Sequence, residues 1–325
     1  MHVLILGGTG WLSGRVAKAW VDAGARVTCL ARGGRPAPDG ADLVIGDRAE
    51  ADAYAAVAAR EWDEVVDVSS RGGHVADAVT ALGDRAGHWT YVSTVSVYRD
   101  ADVVGADETA ALLEPAGPED ADDYGRQKVA AEEALRRVRG RGLAVVRPGL
   151  IVGPGDPTDR FGYWVGRFAL AGGEPVLAPA RADLRVQVID VDDLTDFVVS
   201  LGRGRRDATA DAIGDSHPFH GFAELARAAA GHTGDVVRAD DAWLRAHDVA
   251  YWAGPRSLPL WLPADMPGFA TRANATYRAA GGGIRPLADT LARTLADERA
   301  RGLDRPRAAG LTRAEELDLL AGLPA

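Results

Sequence analysis

Residues Leu4-Ile5-Leu6-Gly7-Gly8-Thr9-Gly10-Trp11-Leu12-Ser13-Gly14 run from an apolar strand through a glycine-rich turn into a helix start. Lacking Cβ atoms, Gly7 and Gly10 let the backbone turn sharply and approach a pyrophosphate closely. The first N–H groups of the helix and its positive dipole end face the same point. The residues of this turn that would contact a dinucleotide are Gly7, Thr9, Gly10, Trp11, Leu12 and Ser13. The spacing departs from a plain G-x-G-x-x-G, because the third small position is Ser13, or Gly14 after a shift of one. A simple tight turn is the competing explanation, and the rest of the chain decides between them.

Outward from the turn, short runs rich in Val, Ile and Leu occur at 3–6, 26–30, 42–45, 64–68, 88–92 and 143–147. Such runs suit strands buried on both faces of a parallel sheet. Helix-length stretches at 13–23, 49–60, 74–85 and 122–139 separate them. This alternation predicts an α/β fold, a Rossmann-type doubly wound parallel sheet with a smaller C-terminal substrate domain. The dinucleotide-binding domain is expected over 1–155 and the substrate domain mainly over 156–325, with a strand and helix near 185–213 returning to the first. Further helices are expected at 192–201, 220–231 and 286–301, whereas 251–268, rich in Pro and Trp, fits no regular pattern.

Composition narrows the function. The net charge of −10 lacks the basic footprint of a nucleic-acid binder. A single cysteine, Cys29, excludes an intrachain disulfide and a multi-thiolate metal site, and the sparse histidines predict no metal. No stretch has the roughly 18 apolar residues of a spanning helix, and the N-terminus lacks a signal-peptide pattern, so a cytoplasmic protein without a membrane partner is expected. Lys18 and Lys128 are the only lysines among 37 basic residues, leaving 35 arginines.

Lys128 stands four residues after Tyr124, on the same helix face. A phenol near pKa 10 is a poor acid–base catalyst at neutral pH. A neighbouring ammonium lowers that pKa, and its compact head can also bind ribose hydroxyls. Upstream, Ser93-Thr94-Val95-Ser96-Val97-Tyr98 closes a strand in hydroxyls suited to hold a substrate oxygen. At the end of the second strand, Ala31-Arg32-Gly33-Gly34-Arg35 offers arginine where an NAD site usually has an acid. This predicts NADP(H), with Arg32 on the 2′-phosphate and Arg35 assisting, and NAD(H) as the alternative.

Together these segments resemble the extended short-chain dehydrogenase/reductase, or NAD-dependent epimerase/dehydratase, family. The matching pieces are Gly7-Gly8-Thr9-Gly10, Gly46-Asp47, Ser93 to Tyr98, Tyr124-x-x-x-Lys128, Arg147-Pro148-Gly149-Leu150-Ile151-Val152-Gly153-Pro154 and Val188-Ile189-Asp190-Val191-Asp192-Asp193, in the family's order over about residues 1–200. The resemblance implies Tyr124 as general acid/base, Lys128 as its electrostatic partner and ribose ligand, and Thr94 as the catalytic hydroxyl in preference to Ser93 and Ser96. It implies Asp47 on the adenine amino group with Arg48 beside it, Ser69 and Ser70 along the cofactor, and Pro148 and Gly149 near the nicotinamide.

Two departures weigh against sugar nucleotides. Leu150 stands where such epimerases often carry Asn, and Val186 where they often carry Arg; Arg185 is one residue off and faces the other way. Arg160 could restore some charge, or could form a helix-start salt bridge with Asp156 or Asp159. The expectation is therefore an NADP(H)-dependent oxidoreductase interconverting a ketone and a secondary alcohol on a small molecule, in a possible homodimer. The alternatives are a sugar epimerase/dehydratase that recycles its hydride, and a non-catalytic cofactor-sensing or RNA-associated relative.

Overall fold

The apolar runs assemble into one seven-stranded sheet, in a computed structural model that describes residues 1–117 and 119–323. Its strands are β1 (His2–Leu6), β2 (Arg26–Ala31), β3 (Ala41–Ile45), β4 (Glu64–Asp67), β5 (Trp89–Val92), β6 (Leu143–Pro148) and β10 (Ala208–Ala212). They lie in the order β10-β6-β5-β4-β1-β2-β3, every pair parallel. The chain reverses its direction of travel at β1, so the crevice beyond the carboxyl ends of β1 and β4 is the switch point where this architecture binds ligands.

Alternation along β1 shows why both faces must be apolar. Val3 and Ile5 meet Val16, Ala17 and Trp20 of α1 (Trp11–Asp22) and Phe197 and Val198 of α6 (Val191–Gly204). Leu4 and Leu6 meet Val75, Val79 and Leu82 of α3 (Gly72–Leu82) and Ala131 and Leu135 of α4 (Tyr124–Val138). The stretch 49–60, expected to be a helix, forms turns and one short helix, α2 (Ala55–Ala58). Its residues have a tertiary task instead. Arg48 donates to the Tyr54 hydroxyl, to both carboxylate oxygens of buried Asp67 and to the His74 carbonyl, and this anchoring overrides local helix propensity.

The rest of the chain builds a second core. Three-stranded pairing joins β7 (Leu150–Val152), β9 (Arg185–Asp190) and β11 (Ser216–Pro218); β8 (Val176–Pro179) pairs with β12 (Val236–Ala239). Phe161, Trp164 and Phe168 of α5 (Arg160–Ala171) pack on Phe219 and Phe222 of α7 (Phe219–Ala230) and on Trp261. From the 185–213 segment, α6 and β10 sit on and in the large sheet, whereas β9 belongs to the smaller one. Asp190 caps α6 by accepting from the Asp192 N–H, and also pairs with Arg293, so the acids at 190–193 serve a helix start and interlobe contacts.

A line of buried charges connects the two lobes. Glu132 of α4 receives two guanidinium hydrogen bonds from Arg147 of β6, at 2.9 and 2.6 Å, and a third from the Ser93 hydroxyl at 2.6 Å. Arg147 donates to the Tyr98 hydroxyl (2.9 Å), which donates to Asp211 of β10 (2.6 Å). Asp211 accepts in turn from Arg272 at 2.8 Å, whose backbone N–H donates to Gln187 of β9. Glu132 and Arg147 are 1% and 3% exposed, so truncating either leaves an uncompensated charge in the interior. Glu132→Ala is expected to lower the unfolding free energy by about 3–5 kcal/mol in denaturant titration; a loss below about 1 kcal/mol would show that the pair is not structurally critical.

Candidate active site

The carboxyl ends of the central strands open onto two adjoining cavities of about 900 and 530 Å³, which share Gly10 and Val68 in their walls. The larger runs from the glycine turn along β2 and β3 and is lined by Gly7, Thr9, Arg32, Asp47, Arg48, Ser69 and Ser70. The smaller is lined by Trp11, Leu12, Ser13, Thr94, Tyr124, Lys128, Pro148 and Gly149. The structure thus brings the sequence-predicted residues together around one continuous crevice.

The glycine turn owes its shape to three contacts. Gly7 adopts φ +83°, a left-handed conformation that a side chain would strain, and its N–H donates to Leu30. A Cβ on Gly8 would lie 2.5 Å from the buried Cys29 sulfur. Ser13 then staples the turn, its hydroxyl donating to the Gly7 carbonyl (2.6 Å) and accepting the Gly10 N–H (3.1 Å). Its side chain is therefore spent on the loop, and the N–H groups of Trp11 and Leu12, which have no partner within the helix, are left for an anion. These features fit the pyrophosphate of a dinucleotide. The Trp11 indole instead reaches outward, donating to the Pro154 carbonyl at 2.9 Å, and Arg15 donates to the same oxygen at 2.8 Å.

At the far end of the larger cavity, Arg32, Arg35 and Arg71 line the wall, and their guanidinium groups make no hydrogen bond or ion pair among the described residues. Asp47 also lines it, one carboxylate oxygen accepting the Ala49 N–H. Arg48 differs from the expected ligand role, because Asp67, Tyr54 and His74 already hold its guanidinium; it braces the cavity wall. Arg71 was missed by sequence reasoning, since nothing local distinguishes it among 35 arginines.

The reacting end depends on how α4 begins. Asp123 caps the helix by accepting the Arg126 N–H, and Gly125 lets it lie on the 95–97 turn, where a Cβ would come within 2.4 Å of the Ser96 carbonyl. A glycine inside a helix first turn costs stability relative to Ala, which was the available sign of this close approach. Thr94 and Tyr124 thereby face one another. Ser93 is removed from consideration because its hydroxyl is turned inward onto Glu132. Ser96 shares a hydrogen bond with Thr94 and lines the same cavity.

Lys128 is 3% exposed and carries no carboxylate partner among the described residues. Its ammonium donates to the carbonyls of Ser69 (2.8 Å), just after β4, and Val92 (2.6 Å), the last residue of β5, and lies 5.9 Å from the Tyr124 ring centre. Burial pushes its pKa down to about 7, against the opposing pull of Asp67 and Glu132. Burial also raises the Tyr124 pKa, while the Thr94 side chain and the Arg160 charge draw it down. The ammonium is itself desolvated and held beneath the ring by carbonyls. Lys18, by contrast, is an exposed residue paired with Asp22.

Arg160 takes neither of the ion pairs considered for it. Asp159 is held by Arg301 and Arg305, and Asp156 accepts from Thr158. The Arg160 guanidinium instead lies 5.0 Å from the Trp252 ring centre, in the wall of the smaller cavity with Phe269. Most aromatics of the C-terminal half are core, including Tyr163, Trp164 and Trp261; Trp252 and Phe269 are the ones that reach the cavity. Leu150 lines the cavity as an apolar wall, Val186 is buried, and Arg185 is bound to Ser216, so none of the three supplies a polar group there.

The model of the NAD-dependent epimerase/dehydratase family matches residues 3–210. No curated protein matches the sequence. Similar solved structures include a candidate epimerase from Burkholderia cenocepacia J2315, at 21% identity and TM-score 0.72, covering 92% of this chain and 98% of that one. UDP-glucose 4-epimerase from Thermotoga maritima, solved with UDP-glucose, shows 13% identity and TM-score 0.70 over 93% and 99% of the two chains. UDP-glucuronic acid 4-epimerase from Bacillus cereus, solved with NAD, shows 12% identity and TM-score 0.66 over 93% and 99%. At these identities the likeness is one of fold.

The space around Lys128 tests its role. A longer, planar guanidinium does not fit the narrow space between the two carbonyls as a compact ammonium does. Lys128→Arg is expected to lower kcat by ~10-fold or more despite conserving charge, measured as steady-state turnover. Near-normal rates would show that the site needs only a positive charge.

Proposed function

Because the chain belongs to the NAD-dependent epimerase/dehydratase family, we propose that it is an oxidoreductase interconverting a ketone and a secondary alcohol on a small molecule, with NADP(H) favoured over NAD(H). The observation that carries this reading is the facing pair Thr94 and Tyr124 above buried Lys128, in the wall of the 530 Å³ cavity. The bound nicotinamide would exchange a hydride with the substrate carbon. Tyr124 delivers the proton to the substrate oxygen in reduction and takes it back in oxidation. Thr94 donates a hydrogen bond to that oxygen and keeps it in reach of the phenol. Lys128 offers its ammonium to the ribose hydroxyls, with its remaining contacts fixing the ends of β4 and β5.

The cofactor preference rests on the unpaired Arg32, Arg35 and Arg71, which give the adenosine end of the crevice a local positive field despite the acidic chain. A 2′-phosphate would meet guanidinium groups that need no other partner to be displaced. The family and the neighbouring structures favour a second reading, an epimerase or dehydratase that keeps its hydride between half-reactions. Such an enzyme would purify with NAD+ tightly retained. The apolar Leu150 and Val186, in the places where polar groups commonly receive a sugar-nucleotide diphosphate, weigh toward the first.

Tyr124→Phe is expected to reduce kcat by ~10²–10⁴-fold while leaving cofactor affinity in place; full activity would remove Tyr124 from the chemistry. Arg32→Ala is expected to lower the NADPH-over-NADH affinity ratio by ~10-fold, measured by fluorescence titration, and an unchanged ratio would end the case for a 2′-phosphate site there.

A further inference from the structure

Among the described residues Arg160 is the one arginine in the wall of the smaller cavity, and the neighbouring carboxylates Asp156 and Asp159 are hydrogen-bonded elsewhere. Its only hydrogen bond is from Nε to the Thr158 hydroxyl at 3.3 Å, so both terminal nitrogens are free among the described residues. The side chain is enclosed enough for burial to lower its pKa, against the attraction of the nearby but unbonded Asp156, and its charge is felt by the Tyr124 phenol. A desolvated, unpaired guanidinium is costly, and a bound anion offsets that cost.

The walls beside it are flat and apolar. Trp252 lies under the guanidinium and meets Phe269 edge-on, with ring centres 5.3 Å apart. Trp252 also holds a left-handed backbone, φ +68°, fixed by its N–H donating to Trp261. For a bulky residue this conformation is strained, and such strain persists where the surroundings require a particular side-chain direction. The cavity must also receive the nicotinamide end of the cofactor against Pro148 and Gly149, so only part of its 530 Å³ is left for substrate.

We propose that Arg160, Trp252 and Phe269 form a substrate-recognition site for a small organic oxyanion, a carboxylate or phosphate monoester on a flat apolar body, bound beside Tyr124. The inference rests on the oxidoreductase reading for what then happens to the molecule, but the binding claim can be measured without turnover. A bidentate guanidinium contact would hold the anion while the indole supports the body, leaving the oxygen to be protonated near Tyr124 and Thr94.

The test uses the full-length protein saturated with NADPH and titrated calorimetrically with benzoate, phenyl phosphate, neutral benzamide and UDP-glucose. The better of the two small anions is expected to bind ~10-fold more tightly than benzamide, and whichever anion wins identifies the headgroup. Arg160→Gln should abolish that preference, and Arg160→Lys should restore part of it, with NADPH affinity unchanged in both. If the Gln variant fails to fold, the wild-type preference and the Lys variant still decide. Equal binding of benzamide, a preference that survives Arg160→Gln, or no binding of either small anion at millimolar concentration would overturn the proposal. So would UDP-glucose binding more tightly than both. Failure of NADPH to bind at the outset would instead count against the cofactor reading.

Discussion

The buried sequence Glu132–Arg147–Tyr98–Asp211–Arg272 is the constraint on which the rest depends. It ties α4, which carries Tyr124 and Lys128, to β6, to the turn after β5, to β10 and to the C-terminal segment. Each member is satisfied by the next, so the desolvation of five polar groups is met by short charge-assisted hydrogen bonds. Ser93 joins the same chain, which turns its hydroxyl away from the crevice and leaves Thr94 facing it. The choice between two adjacent hydroxyls is thus made by a glutamate on a neighbouring helix.

The arginine-rich composition has a structural explanation in the second lobe. Arg301 and Arg305 converge on Asp159 and Glu298; Arg307 pairs with Glu298, and Arg167 and Arg313 meet Glu316. A planar fork with five donors can serve several acceptors at once, and an ammonium cannot match that geometry. Lysine persists at 128 because the requirement there is the reverse, a compact head between two carbonyls. The two kinds of cation have divided the interior between them.

The sheet was legible because strands buried on both faces must be apolar throughout, and β1, β2, β4, β5 and β6 read directly as such runs, with β3 the exposed edge. The glycine turn and the Tyr124–Lys128 spacing were legible because backbone approach and helical pitch are local. What failed was set by distant partners. Residues 49–60 look helical in isolation, yet Arg48 and Tyr54 are held by Asp67 and His74. The β9 strand was visible, but its membership in the smaller sheet was not. Arg160 has two carboxylates within four residues, but Asp159 is bound by Arg301 and Arg305 from far along the chain, which leaves Arg160 to the cavity wall. Trp252 and Phe269 carried no periodic signal, since one ends a three-residue strand and the other lies in a loop, both too short for a pattern.

The indole of Trp11, donating to Pro154, has a mechanical meaning. One turn of helix offers its first amides to the crevice and, through that ring, grips the loop leading to Thr158 and Arg160. The same helix end that floors one cavity thus anchors the loop that walls the next, and the two chambers share one structural support.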